Sequence, residues 1–501
     1  MDAILFDIGD TLVRAAEPGT PVAALVAEPL PGVVRTLRAL ARTHRLGAVT
    51  DTAVMSEAEV RAALAGTGLD ELLEVIVTSA DAGVSKPDPT GLRTALARLG
   101  VAPERALFVG DHAVDEEAAR AAGVAFAHVA PDRPLGLAVR DALTEAAGPF
   151  AAASALVAPP DEDARAAAWE RHAQLTKPAG ALGRVEELGV QLAAIAGEVP
   201  PPAPAPAAVG VFAGDHGVVA QGVTPWPQEV TAQMVANIVG GGAAINVLAR
   251  QAGAGVAVVD VGVAADLDAL GLAGAPGLLR HRVRAGTRDL AVEPALTPDE
   301  VRAALDVGAA VARSLVEDGA RALVTGEMGI GNTTPAAAVI AALLGRPAAE
   351  VTGRGTGVDD ATLAHKIEVV ERGLARLPVD PDPLTVLAEV GGLEHAALAG
   401  FVVGGASHAI PVVVDGVIAG SAALVASRLC PAAHPYLVAG HRSTEPGATA
   451  VLEALGLDPV IDLGLRLGEG SGACLALGVL EASARILAEM ATFADAAIDS
   501  A

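Results

Sequence analysis

Two cysteines in 501 residues, Cys430 and Cys474, exclude a disulfide framework, and neither stands in a metal-ligand spacing. Aromatic residues make up only 2% of a chain that is 52% hydrophobic, so its cores must be built from Ala, Val, Leu and Ile. That balance is globular, not disordered. Lysine is nearly absent. Lys86, Lys177 and Lys366 are the only three, and arginine supplies the other 31 of 34 basic side chains. Each lysine therefore calls for a functional explanation beside the bland one, chance survival in a biased composition. Positive charge is itself scarce: a formal net charge of −26 excludes nucleic acid and anionic membrane as main partners, and anionic ligands then need local positive sites. The N-terminus lacks the basic stretch of a signal peptide. The longest apolar stretch, 396–427, is broken by Gly404-Gly405, His408, Pro411 and Asp415, which reads as buried strand and helix, not as a membrane span. A cytoplasmic protein is expected, with small-molecule substrates and no nucleic-acid or membrane partner.

Over residues 1–130, strand-like runs (AILF, LGAV, EVIVT, ALFVG, VAFAHV) alternate with helix-like segments, the pattern of a parallel sheet covered by helices. Residues 131–160 read as a linker, with prolines at 131, 134, 149, 159 and 160. A second Pro/Ala stretch at 198–209 reads as a loop inside the next module. Alternation resumes from 207, and TPDE at 297–300 offers Thr297 as N-cap, Pro298 at N1 and Glu300 at N3. The expectation is an α/β protein of two three-layer modules with parallel sheets, 1–130 and 161–501. The second carries a small helical subdomain from residues near 160–200 and the C-terminal tail.

In the first module, functional loops belong at the carboxyl ends of the strands. DIGDT at 7–11, Thr50, SKPDP around Lys86, and GDHAVDEE from 110 all fall there. Two carboxylates with a hydroxyl and an ammonium suit phosphoryl chemistry, in which the acids hold Mg²⁺ and Lys and Thr offset anionic charge. The set resembles the haloacid dehalogenase-like superfamily. The resemblance implies Asp7 as nucleophile and Mg²⁺ ligand, Thr50 and Lys86 as catalytic partners, and Asp111 and Asp115 completing the metal site. Phosphatases of that superfamily carry a second aspartate two residues after the nucleophile. Here that position is Gly9, and losing an acid/base group typically costs ~10²–10⁴ in rate. Only about forty residues separate Asp7 from Thr50, so little or no cap is expected.

From 155 to about 490, several stretches together resemble the nicotinate-nucleotide–dimethylbenzimidazole phosphoribosyltransferase family. They include FAGDHGVVAQGVTPWPQEVTAQM (212–234), GEMGIGNTTPAAA (326–338), EVTGRGTG (350–357), HKIEVV (365–370), IPVVVDG (410–416), GHRSTEPGA (440–448) and LRLGEGSGA (465–473). The resemblance implies transfer of phosphoribosyl from nicotinate mononucleotide to dimethylbenzimidazole, for the lower ligand of cobalamin, with no cofactor, by a homodimer. On their own terms, Gly329, Gly331, Asn332, Thr333 and Thr334 open a helix after a strand, an anion site of oriented N–H groups. Gly353 and Gly355 form a second glycine-rich loop, and Lys366 adds a point charge for phosphate. Asp215, His216 and the stretch to Gln228 are expected to shape the aromatic base's pocket, with Leu467 as a wall and Asp415 among the binding residues. Arg442, Ser443 and Arg466 are candidates for the nicotinate carboxylate or for structural ion pairs. Lys177 either reaches the site or binds a helix end.

Glu469 stands alone between glycines, flanked by apolar segments. Such a carboxylate is partly desolvated, which raises its pKa toward values useful for a base; the bland alternative is a solvated helix-capping acid. The family assigns it as the base that takes the N–H proton of the attacking benzimidazole. Glu327 is expected as a supporting charge near the ribose or the incoming base, or as a structural acid. The leading expectation is a phosphoribosyltransferase with an accessory phosphatase-like N-terminal domain; an extension, against which Gly9 counts, is that this domain removes the product's 5′-phosphate. The rivals are a Mg²⁺-dependent phosphatase with a nucleotide-binding C-terminal module, and a non-catalytic scaffold.

Overall fold

In the computed structural model, which describes residues 1–16, 25–52 and 54–498, the first five apolar runs become β1 (Ala3–Phe6), β2 (Arg45–Thr50), β3 (Val75–Thr78), β4 (Ala106–Gly110) and β5 (Ala125–His128). All pair in parallel, in the order β3-β2-β1-β4-β5. One core of Leu, Ile and Val lies on each face of this sheet. The chain splits into units Met1–Pro159 and Pro160–Ala501. The expectation of little or no cap concerns a segment of which residues 17–24 lie outside the described residues.

The expected linker is not one. Residues 131–160 contain helices Leu135–Ala147 and Pro149–Leu156, and Leu135, Ala138, Val139, Leu143, Ala152 and Leu156 are buried in the first unit's core. The prolines misled because two of them begin helices instead of breaking chain: Pro134 is an N-cap and Pro149 an N1 residue.

The second unit holds a six-stranded parallel sheet in the order β11-β10-β9-β6-β7-β8. Its strands are β6 (Ala207–Gly214), β7 (Gly255–Gly262), β8 (Leu278–Arg280), β9 (Ala322–Met328), β10 (Val412–Val414) and β11 (Leu437–Ala439). The capping box at Thr297 forms as read and starts helix Pro298–Glu317. That helix packs against Leu393–Ser407 with the backbones nearly touching: a β-carbon on Gly308 would lie 1.7 Å from the Ala397 carbonyl oxygen, and one on Gly400 2.0 Å from that of Leu305. Only glycine permits this approach. Residues Leu393–Ala406 are all buried, as are Val417–Ala426, so the long apolar stretch is two core helices with a strand between them. Two segments, Glu229–Ala252 and Ser471–Glu489, are long and apolar enough to cross a membrane by composition alone. The first is two helices broken at Gly240–Ala243, and both segments contribute side chains to the core of the sheet. The expected helical part exists as Glu162–Gln174 and Arg184–Ala196, which share a small apolar cluster with Leu487 near the C-terminus.

In each sheet, strand order reverses beside a central strand, between β1 and β4 in the first and between β6 and β9 in the second. Loops diverge there and open a crevice at the carboxyl ends. Both candidate sites lie at these points.

Candidate active sites

In the second unit, the loops after β9, β10 and β11 and the long segment after β6 enclose a cavity of about 380 Å³. Among the expected residues, Glu327, Gly329, Gly331, Asn332, Thr333, Gly355, Lys366, Ser443, Arg466, Leu467 and Glu469 line it.

Glu469 closes one end. Its φ of 62° is in the left-handed region, where a non-glycine residue is strained, and Gly468 (φ 87°) and Gly470 (φ 88°) flank it. The turn is held from below by Asp415, at the end of β10. The Asp415 carboxylate accepts the N–H of Gly470 at 3.2 Å and of Ala473 at 2.9 Å, capping helix Ser471–Glu489. Glu469 is 5% exposed, and among the described residues its Oε2 has no hydrogen-bond partner. Burial pushes its pKa up, against the N–H of Ile245, which donates to it, and with the Asp415 charge adding to the rise.

Glu327, the penultimate residue of β9, packs against this turn: a β-carbon on Gly468 would lie 2.1 Å from its Oε1. Burial lifts its pKa to about 8; the Asn332 amide donating to Oε2 opposes this, and the charges of Asp415, Glu394 and Glu469 reinforce it. Burial thus favours the protonated form of Glu327 at neutral pH, beside a Glu469 carboxyl that keeps one oxygen free.

Lys366, 2% exposed, lies on helix Asp360–Leu374 and marks another side of the cavity. Its Nζ donates to Thr333 Oγ1 at 2.7 Å and to the Gly353 carbonyl at 3.2 Å. Burial lowers its pKa to about 8, opposed by Glu445. Thr333 begins helix Thr333–Leu344. A buried ammonium, a hydroxyl and a helix N-terminus in one corner are the kind of donor set that suits an anion such as phosphate. Glu445 accepts the N–H of Gly355 at 2.9 Å and so fixes the second glycine loop. Arg466 Nη1 donates to the Gly355 carbonyl at 3.3 Å from the rim.

Eight expected residues do not line the cavity. Asp415 acts through the turn, and Gly353 through its carbonyl on Lys366. Thr334 is fully buried in the first helical turn. Gln228 is the residue at which helix Glu229–Val239 starts. Asp215 accepts the Ala264 N–H at 2.8 Å, and His216 pairs with Glu394 at 2.7 Å, so both are interior groups behind the loop. The pocket wall expected of this stretch is formed instead by Val223, Thr224 and the half-exposed Trp226. Lys177 forms a buried pair with Glu186 at 2.9 Å, and Arg442 an exposed one with Asp462 at 3.5 Å. Sequence reasoning missed Arg354, His441 and Glu445 as lining residues. Each stands inside a motif quoted above, but nothing in a motif says which side chain turns inward.

In the first unit, Asp7 follows β1 and Asp111 follows β4. One ligating atom each from Asp7, Asp111 and Asp115 lies within 4.8 Å of the others. Lys86 Nζ bridges Asp7 Oδ1 and Asp115 Oδ1, at 2.5 Å each. Burial lifts the Asp7 carboxyl to about 6; Lys86 opposes this, and the charges of Asp115 and Asp111 add to it. Thr11 donates to Asp111 at 3.1 Å. Thr50 ends β2 in register with Thr78, and the next residue, Asp51, accepts the Lys86 N–H at 3.1 Å. An all-oxygen set of three carboxylates fits a hard divalent cation such as Mg²⁺. Asp10 turns away with φ 50°, accepting the Ala15 N–H at 2.9 Å, and does not replace the acid missing at Gly9.

Comparison with known proteins agrees with this division. The family described as Phosphoribosyltransferase matches residues 157–498, and the one described as Haloacid dehalogenase-like hydrolase matches residues 22–129, starting downstream of Asp7. Nicotinate-nucleotide–dimethylbenzimidazole phosphoribosyltransferase of Salinispora tropica is 58% identical over 355 residues, 69% of this chain and 98% of that protein. The protein of the same name from Chloroflexus aggregans is 52% identical over 343 residues, 68% of this chain and 96% of that one. The crystal structure of the Thermus thermophilus protein of that name is 48% identical, with a TM-score of 0.65, covering 68% of this chain and all of that one.

Proposed function

Because the chain belongs to the nicotinate-nucleotide–dimethylbenzimidazole phosphoribosyltransferase family and carries a haloacid dehalogenase-like domain ahead of it, we propose that its second unit moves the 5-phosphoribosyl group of nicotinate mononucleotide onto 5,6-dimethylbenzimidazole. The products are α-ribazole 5′-phosphate and nicotinate. The observation that carries this reading is the carboxyl pair at the cavity's end: one acid buried into protonation, the other with a free oxygen.

In the nucleotide the leaving base is already a cationic pyridinium. When C1′–N breaks, its electron pair neutralises the ring, so no acid need protonate the departing nitrogen. One benzimidazole nitrogen attacks C1′ while the other loses its proton to Glu469 Oε2. The protonated Glu327 offers a hydrogen-bond donor beside it, without a second negative charge. Lys366, Thr333 and the helix N-terminus hold the 5′-phosphate, which fixes C1′ relative to the base. The apolar wall of Val223, Trp226, Val230, Met234 and Leu467 suits an aromatic acceptor. The transferase chemistry asks for no cofactor. Nicotinate release that depends on added dimethylbenzimidazole and survives EDTA would support this reading; release that is EDTA-sensitive and independent of the acceptor would overturn it.

For the first unit the same proposal assigns an accessory phosphoryl site acting on the transferase product. Asp7, Asp111 and Asp115 would hold Mg²⁺, whose charge would offset that of the phosphate. Asp7 is placed to attack phosphorus, with Lys86 beside it. Phosphate release from α-ribazole 5′-phosphate above that of Asp7→Asn supports the assignment, and release at the control rate ends it.

A further inference from the structure

Behind the loop that carries Gly329 lies a cluster for which the transfer reaction has no use. His216, Glu394 and His395 are 1%, 0% and 0% exposed. His216 Nε2 stands 2.7 Å and His395 Nδ1 3.0 Å from the same atom, Glu394 Oε1. One ligating atom from each of the three lies within 4.8 Å of the other two. The imidazole planes cross at 86° with centroids 6.0 Å apart, so the rings reach the carboxylate from different directions. A β-carbon on Gly392 would fall 2.6 Å from His216 Cε1, 2.6 Å from His395 Nδ1 and 2.7 Å from Glu394 Oε2. Only glycine lets the backbone pass this close to the three side chains.

Charge makes the cluster stranger. Asp215, next to His216 in the chain, is also buried, and among the described residues no lysine or arginine pairs with either carboxylate. Among the described residues, Glu394 Oε2, Asp215 Oδ1, His216 Nδ1 and both ring nitrogens of His395 find no hydrogen-bond partner. The site therefore gathers nitrogen and oxygen lone pairs, several of them unpaired, on groups that are almost wholly buried, and unsatisfied buried polar atoms are costly. A divalent cation would engage those lone pairs together.

We propose that His216, Glu394 and His395 form a closed binding site for a divalent transition-metal ion, zinc by preference. Two imidazoles and one carboxylate are the protein donors of many zinc sites, with a fourth position left for water. On binding, any proton carried by His216 Nε2 or His395 Nδ1 is released to solvent and the ring nitrogens bind the ion. The ion's work here is positional. A β-carbon on Gly329 would lie 3.2 Å from His216 Nε2, and Gly329 opens the loop that lines the transferase cavity. The ion braces that loop from behind and touches no substrate.

The test is metal content of the full chain, expressed with added zinc and purified without chelator. We expect about one zinc per chain in the wild type. The same content is expected in Asp111→Asn, which disables the carboxylate site of the first unit. His395→Leu should fold, by circular dichroism, and lose the metal. Cobalt in place of zinc should give visible d–d bands of four-coordinate intensity in the wild type and in Asp111→Asn, and none in His395→Leu. A folded wild type with no zinc or cobalt above the buffer blank overturns the proposal, as does a His395→Leu protein that keeps wild-type metal content. In either case the cluster is a proton-shared His–Glu–His network. Should His395→Leu not fold, the cobalt spectrum of the wild type decides alone, since bands without nitrogen ligation would equally refute it.

Discussion

Replacing Lys366 by methionine should weaken nicotinate mononucleotide binding without touching the chemistry. The ammonium is 2% exposed and spends its hydrogen bonds on Thr333 and the Gly353 carbonyl, so a phosphate arriving there gains a charge-assisted contact at little ordering cost. Such contacts are worth ~1.5–3 kcal/mol net, or roughly 10- to 150-fold in Kd. Its pKa of about 8 adds a pH signature. Below pH 8 the free enzyme carries the charge. Above it, wild-type affinity should fall by up to about tenfold per pH unit, while Lys366→Met should show no such limb. Calorimetric titration without dimethylbenzimidazole measures both. Nicotinate riboside, which lacks the phosphate, is the control. If the variant loses riboside and nucleotide affinity equally, Lys366 is structural and the phosphate assignment is wrong.

Other outcomes follow from the same geometry. Glu327 has its folded pKa raised from 4.5 to about 8, so its neutral form stabilises the fold at low pH and that contribution is lost as pH climbs from 4.5 through 8, by ~1.4 kcal/mol per unit at most. Glu327→Gln stays neutral, and its melting temperature relative to wild type should rise between pH 5 and pH 8; a constant difference would contradict the protonated state. In the first unit, among the described residues a β-carbon at Gly9 would meet only Ala15 Cβ at 3.9 Å, so an acid fits there. Gly9→Asp should raise Mg²⁺-dependent hydrolysis of p-nitrophenyl phosphate by at least ~10²-fold, the lower end of an acid/base group's contribution. An unchanged rate would show that something other than the missing acid limits this site.

Much of the fold was legible because its strands are short β-rich runs separated by helix-forming segments, a pattern that composition does not blur. The error at 131–160 came from reading proline as punctuation where Pro134 and Pro149 begin helices. The site's corners were also legible: glycine-rich loops after strands, a rare lysine and a lone acid. What sequence could not supply was direction. Asp215 and His216 stand in a conspicuous motif yet face the interior, because β6 delivers them next to Glu394. His441 and Glu445 look unremarkable and line the cavity. The division of labour between Glu327 and Glu469 depends on burial, Asn332 and the Ile245 N–H, which no local pattern encodes.

The claim on which the account turns is that Glu469 removes a proton in the transfer step. Turnover of Glu469→Gln with saturating dimethylbenzimidazole, set beside its Kd for nicotinate mononucleotide, tests it most directly. The account predicts kcat reduced at least ~100-fold with nucleotide affinity within about twofold of wild type. A variant that turns over at the wild-type rate, or that loses turnover only because the nucleotide no longer binds, would contradict it.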